Sequence, residues 1–344
     1  MADATRAEFN DSVTEHDLRH LAGLPQLTTL QCSVPVKDSV WSLLNDCFFG
    51  LRPDVELRAY GHNSSECDLS FARRMGNVRR FAADSLMRAK NVEVIAEMSR
   101  LESLSLGIFE LRDFGVLNRV PPTLTTLRLG ATRSRKPLLE SLARFTSLRT
   151  LYLEGQSNGI DVLSNLPALE DLTLRSITTP DLRYLAPLER IWSLDIKLGG
   201  IRSFTGIEGK GTIKCLELWQ IRELERADVV ASLPGLQNLF LQSLPHIEAL
   251  PGLRHVHTLR RVVLQNMKSF RDFGTLEDAP ALEEFALIEG KAQEPEQLLP
   301  VLRNTAVRRA KAMFGSDRKN TAFAGLRDGH AKSDWDTGLA FTYR

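Results

Sequence analysis

One phrase, L-x-x-L-x-L, returns along this chain at a nearly fixed interval, and that recurrence limits its possible folds more than any other feature. It reads LTTLQC from Leu27, LESLSL from Leu101, LTTLRL from Leu124, LRTLYL from Leu148 and LEDLTL from Leu169. It continues as IWSLDI from Ile191, IKCLEL from Ile213, LQNLFL from Leu236, LRRVVL from Leu259 and LEEFAL from Leu282. Weaker copies begin at Val55, Val78 and Val307, and from Val78 to Leu282 successive starts lie 21 to 24 residues apart. Chance does not hold a register that long, and a fixed period of this length is the signature of a stacked repeat architecture.

The x-L-x-L core of each phrase has period two, so it predicts one short strand with alternate side chains turned inward. A second apolar group follows, as in Leu163, Leu166 and Leu169 of DVLSNLPAL, and carries the chain back along the other side. Proline before the phrase, in Leu-Pro-Gln-Leu at 24–27, Leu-Pro-Ala-Leu at 166–169 and Leu-Pro-Gly-Leu at 233–236, sets the turn into the strand. No single repeat buries its own apolar edge; each inward Leu contributes roughly 1.5–3 kcal/mol only when neighbours cover it on both sides.

On these residues the chain resembles the leucine-rich-repeat superfamily, in the short class with a repeat of about 22–23 residues, over roughly residues 24–313. The resemblance implies an α/β solenoid, a horseshoe with a parallel concave β-sheet and short helical or irregular convex segments. The sequence departs from the family pattern at the position eight residues after the first leucine, usually Asn, whose amide forms a ladder to the backbone. Here that position holds Phe109, Thr132, Gln156, Ile177, Gly199, Ile221, Leu244, Met267 and Gly290. Apolar packing by Ile177, Ile221, Leu244 and Met267 is expected to replace part of the ladder.

The expected organisation is an N-terminal capping helix in residues 1–23, divergent repeats over 24–100, regular repeats over 101–313 and a C-terminal cap or tail over 314–344. Ser12 and Glu15 have the spacing of a capping box, with Val13, His16, Leu18 and Leu21 offering an apolar side. The insert DSVWSLLNDCFFG at 38–50 is predicted helical.

Composition excludes whole classes of partner. Lys+Arg 44 against Asp+Glu 43 leaves a formal charge of +1, with no general pull toward nucleic acid or anionic lipid. The basic groups Arg133-Ser134-Arg135-Lys136 and Arg308-Arg309-Ala310-Lys311 read as solvated faces. Cys32, Cys47, Cys67 and Cys215 lack CxxC pairing and read as reduced thiols. With neither a leader-like N-terminus nor a long apolar run, the expectation is a cytoplasmic protein with no membrane association.

Motifs that carry chemistry are missing. GIEGKGT at 206–212 lacks the glycine spacing and the hydroxyl residue of a phosphate loop, and neither G-x-S-x-G nor H-E-x-x-H occurs. His16 and His20 stand four apart without a third metal ligand nearby, and His255 and His257 read as surface residues. Cys215 reads as a small surface or half-buried residue. No catalytic residue, cofactor or metal site is expected.

Function is then expected on the face opposite the inward leucines, where positions three, five and seven of each phrase point outward. That register lists Arg128, Tyr152, Glu154, Asp171, Arg175, Asp195, Lys197, Glu217, Trp219, Phe240, Gln242 and Arg261 as candidate partner-binding residues. Exposed aromatics among Arg and carboxylates match the composition of binding hot spots. Trp219 and Phe240, one repeat apart, equally fit packing against each other across adjacent strands, and the line Asp171, Asp195 and Glu217 fits charge pairing with Arg175 and Lys197. The leading expectation is a non-catalytic module that binds a protein partner, by analogy with bacterial cytosolic family members that act as inhibitors or immunity partners of toxins. A structural subunit buried through the convex surface, or an enzyme using the acidic line, are the alternatives. The pattern sets no oligomeric state.

Overall fold

The computed structural model describes residues 5–61, 66–134, 137–338 and 340–344. It divides into two compact units, residues 1–169 and 170–344.

In the first unit the strands are β1 (Arg6–Glu8), β2 (Thr29–Cys32), β3 (Glu56–Tyr60), β4 (Cys67–Asp68), β5 (Arg80–Leu86), β6 (Ala89–Lys90), β7 (Ser103–Ile108), β8 (Thr126–Leu129) and β9 (Thr150–Glu154). All but β4 and β6 pair in chain order and in parallel, and β4 and β6 pair with each other. The weak phrases at Val55 and Val78 therefore make strands as the strong ones do. Two helices interrupt the early repeats, α1 (Glu15–Ala22) and α2 (Asp38–Leu44). The capping box of α1 is formed by Thr14 and Asp17, not by Ser12 and Glu15, because Thr14 is the residue that holds extended backbone directly before the first turn. Arg52 ties the far end of α1 down by donating to the carbonyls of Ala22, Leu24 and Leu27. The insert is helical as predicted, α2 running on as a π-helix over Asn45–Phe49 that buries Phe48 and Phe49.

The second unit contains β10 (Asp171–Arg175), β11 (Ser193–Lys197), β12 (Cys215–Trp219), β13 (Asn238–Gln242), β14 (Arg261–Gln265), β15 (Glu284–Ile288) and β16 (Arg309–Ala312), again parallel and in chain order. Between them lie 3-10 turns and the short helices α3 (Val229–Ser232), α4 (Gly274–Glu277) and α5 (Leu299–Arg303), followed by α6 (Asp317–Gly329). Inward residues stack across the ladder, Leu172 beside Leu194, Leu216, Leu239 and Val262, all fully buried. Ile177, Ile221, Leu244 and Met267 fill the core behind the strands, as the missing ladder requires.

That ladder is not wholly lost. Gln156 is buried and donates to the Gly130 carbonyl at 2.9 Å, and Gln293 and Asn304 each capture two backbone carbonyls of preceding repeats. A second regularity is conformational. The residue directly after each strand of the second unit from β10 to β15 is left-handed: Ser176, Leu198, Gln220, Ser243, Asn266 and Glu289, with φ between 49° and 56°. Each turns the chain off the sheet into the next connection.

After β16 the chain continues along the last strand of the sheet. α6 packs Phe323 against Phe314, and Lys332 donates to the carbonyls of Asn304 and Val307. Ser333 then pairs in parallel with Arg309 at the edge of β16.

Candidate functional site

In the first unit Arg128 and Tyr152 stand opposite each other on β8 and β9. The guanidinium lies 4.1 Å over the ring, and the Tyr152 hydroxyl donates to Glu154 at 2.9 Å. The same pairing recurs on β3, where Arg58 lies 4.5 Å over Tyr60 and bridges to Asp84 at 2.7 Å. Between the two Arg–Tyr pairs the strands carry small residues: Ala82, Ser103, Ser105, Gly107 and Gly130. A Cβ on Gly130 would stand 3.0 Å from the Cα of Gly107, so glycine is what lets the chain approach there. The result is a groove of about 470 Å³, walled by Arg128, Tyr152 and Phe109.

In the second unit the acidic line and the aromatics form one cluster. Asp195 is ion-paired with Lys197, whose ammonium sits 3.9 Å from the centre of the Trp219 ring. Trp219 packs on Phe240 with ring centres 5.3 Å apart. All four side chains are half-buried. Burial holds the Asp195 carboxyl above the usual carboxylate range, against the lowering effect of Lys197. Glu217 is raised as well, by burial first and the Asp195 charge second, and Asp171 by burial against a hydrogen bond from Ser193. One oxygen of Asp195 is buried with no hydrogen-bond partner among the described residues. Such a group is costly when left unpaired. Arg175 borders the line and acts on Asp195 by charge, while Gln242 stands opposite Trp219 on β13.

One expected site residue, Arg261, and its neighbour on the outward face, Cys215, are instead engaged by the segment 335–344. Arg261 is only 8% exposed, ion-paired with Glu284 at 2.5 Å and covered by the rings of Trp335 and Phe341 at 4.6 and 4.8 Å. Cys215 is buried beside Tyr343; burial pushes its thiol up to about 11, against the lowering effect of a hydrogen bond with Tyr343. Neither contact has a local sequence signal, since the covering residues lie outside the repeat. Arg135 and Lys136 of the first basic run fall outside the described residues, and Arg309 of the second is paired with Glu284. Lys210 of GIEGKGT donates to the carbonyls of Ala186 and Leu188, a turn contact.

No grouping of three His, Cys, Asp or Glu side chains among the described residues could hold a metal ion. No helix among them is long and apolar enough to cross a membrane. No family model and no curated protein matches the sequence. Solved structures do match. A leucine-rich-repeat protein of Leptospira interrogans aligns at 15% identity over 97% of this chain and 96% of its own, with a TM-score of 0.56. An internalin of Listeria monocytogenes aligns at 16% identity over 91% of this chain and 87% of its own, with a TM-score of 0.49. At 15% identity the likeness to the Leptospira protein speaks for fold alone. Parallel strands in chain order, apolar residues, mostly leucine, turned inward along the repeats, and a match along nearly the whole chain make the fold of this protein a leucine-rich-repeat solenoid.

Proposed function

We propose that the chain is a non-catalytic protein-binding module that recognises its partner through the outward face of the sheet, with Lys197, Trp219 and Phe240 as the energetic centre. The observation that carries this reading is their arrangement. Two large aromatics stacked side by side, one topped by a cation, are already fixed in one geometry and lose little freedom on binding. Asp195, Glu217 and Gln242 around them supply polar contacts that set partner and register. In the first unit Arg128, Tyr152 and Glu154 offer a second contact of the same composition.

A rigid face of this kind acts by occlusion or scaffolding, so the protein serves as an inhibitor or immunity-type partner. The reading places it in the cytoplasm, where buried free thiols such as Cys32, Cys67 and Cys215 persist.

The test is affinity capture with the wild-type chain beside Trp219→Ala/Phe240→Ala, after melts show both folded. The expected result is a stoichiometric partner, retained by the wild type and lost by the variant. Equal retention by both, and by a Lys197→Glu variant, would move the interface off this face.

A further inference from the structure

We propose that the strand-entry edge of the second unit is a peptide-binding site. It takes an extended partner segment of the pattern aromatic, any residue, aromatic, arginine, and residues 341–344 of this chain are its resident occupant. This deepens the preceding reading and rests on it, since the edge borders the same outward face.

The site is built from one repeat position. The residues directly after the first apolar residue of five consecutive phrases are Trp192, Lys214, Gln237, Arg260 and Glu283, and each of the five contacts Phe341-Thr342-Tyr343-Arg344. Gln237 takes the backbone of Arg344 from both sides: its Oε1 accepts from the Arg344 N–H at 2.9 Å and its Nε2 donates to the carbonyl at 2.7 Å. Lys214 donates to the same carbonyl at 2.9 Å, and Arg260 to the Thr342 carbonyl at 2.8 Å. These bonds address backbone atoms, so they hold any extended segment whatever its sequence.

Side-chain choice comes from three subsites. Phe341 lies against the guanidinium groups of Arg260 and Arg261, 5.1 and 4.8 Å from its ring centre. Tyr343 packs edge-on to Trp192 with centres 5.1 Å apart and brings its hydroxyl to 3.3 Å from Asn238 Nδ2, over Cys215. Arg344 reaches Glu283 at 3.4 Å. The cation-faced and indole-walled aromatic pockets thus stand at the two-residue period of an extended chain, and the carboxylate takes the residue that follows.

The occupant is seated in two stages. Upstream, Ser333 pairs with β16 and Trp335 is buried, a fixed anchor. At 341–344, Phe341 and Tyr343 are half-buried while Thr342 and Arg344 are exposed, and no residue of the four is fully buried. A segment with this little burial opens without unfolding the sheet beneath it. A partner segment of the same chemistry then competes for the same contacts.

The experiment uses the full chain carrying Phe341→Ala/Tyr343→Ala, which vacates both aromatic subsites, and a fluorescein-labelled Ala-Phe-Thr-Tyr-Arg peptide followed by anisotropy. Saturable binding to this variant is expected, at least tenfold weaker to the wild type, whose own segment competes, and lost when Gln237→Ala is added. Peptide that fails to saturate a folded variant, or that ignores Gln237→Ala, would overturn the site. Cys215 gives a second readout through its alkylation rate in chains whose other cysteines are alanine. Tyr343→Ala should raise that rate several-fold and added peptide should lower it; an unchanged rate would overturn the proposal. Failure of the peptide while Trp219→Ala/Phe240→Ala still abolishes partner capture removes this site and leaves the face. Peptide binding with capture unaffected by those substitutions does the reverse.

Discussion

The ammonium of Lys197 rests 3.9 Å from the centre of the Trp219 ring, on the neighbouring strand and directly across from it. The same ammonium is ion-paired with Asp195, so one cation satisfies a half-buried carboxylate and an indole face together. A double-mutant cycle on Lys197→Met and Trp219→Leu should give a coupling of about 0.5–1 kcal/mol. Lys197→Met alone should cost more than that coupling because it strands Asp195, and Asp195→Asn in the same chain should recover the excess. Urea melts followed by far-ultraviolet circular dichroism measure each term, and a coupling of zero would reduce the contact to shape filling.

What could be read in advance was the repeating apolar pattern. Period two placed Trp219, Phe240, Asp195 and Lys197 outward, and the phrase spacing placed β10 to β15, because both signals are local and recur many times. The segment 331–344 has no period, and its partners lie some hundred residues away, as Tyr343 does from Asn238. Cys215 therefore read as a small surface or half-buried residue and Arg261 as a partner-binding one. The pairing of Trp219 with Phe240 was one of two open readings; the structure shows that they pack together while both keep an exposed side. The left-handed residues after the strands carried no sequence signal either, since Leu198, Gln220 and Glu289 are not residues that favour that conformation.

Gln156 replaces one rung of the missing asparagine ladder. Its side-chain amide is the donor to the half-buried Gly130 carbonyl, and Gln156→Ala removes that bond. A loss of about 1–3 kcal/mol is expected, with Gln156→Asn recovering part of it. Hydrogen exchange should show the added opening concentrated in residues 130–134. Uniform destabilisation of the whole first unit would argue instead for a packing role.

Glu284 is 4% exposed and answers two cations, Arg261 and Arg309. Removing Arg261 by Arg261→Met strips the carboxylate of its buried partner and loosens Trp335 above it, at an expected cost of about 3–5 kcal/mol. The double change Arg261→Met/Glu284→Leu should recover most of this, because Arg309 is exposed enough to return to water. Thermal melts of the two variants decide it: a double variant no more stable than the single would show that the ionic contact itself holds this end of the sheet.

Burial, with the Asp195 charge second, keeps the Glu217 carboxyl above its ordinary range. The folded chain therefore retains a proton that the unfolded chain has already released. This group favours folding below the ordinary carboxylate pKa, and that contribution is lost as pH climbs through the raised value. Glu217→Gln should accordingly melt higher than the wild type at pH 7, and the difference should shrink toward pH 4. A variant less stable than the wild type at pH 7 would mean that the carboxylate is held by contacts that outweigh its desolvation.

Leu198 has φ of 56° and stands 41% exposed at the end of β11. A side chain of this kind in the left-handed region costs roughly 1–2 kcal/mol, and so little of it is covered that it returns only part of that through burial. Glycine removes the strain but adds freedom to the unfolded chain, whereas asparagine tolerates the same backbone with less added freedom. Leu198→Gly should be close to neutral and Leu198→Asn should stabilise by about 0.5–1 kcal/mol, read as a shift of the urea midpoint at constant slope. Ser176 and Ser243, at the same position of other repeats, supply the control, because a polar residue already stands there. If Leu198→Asn destabilises, the exposed leucine is held by contacts whose loss exceeds the relief of backbone strain, and the turn after β11 is set by packing rather than by the conformation of a single residue.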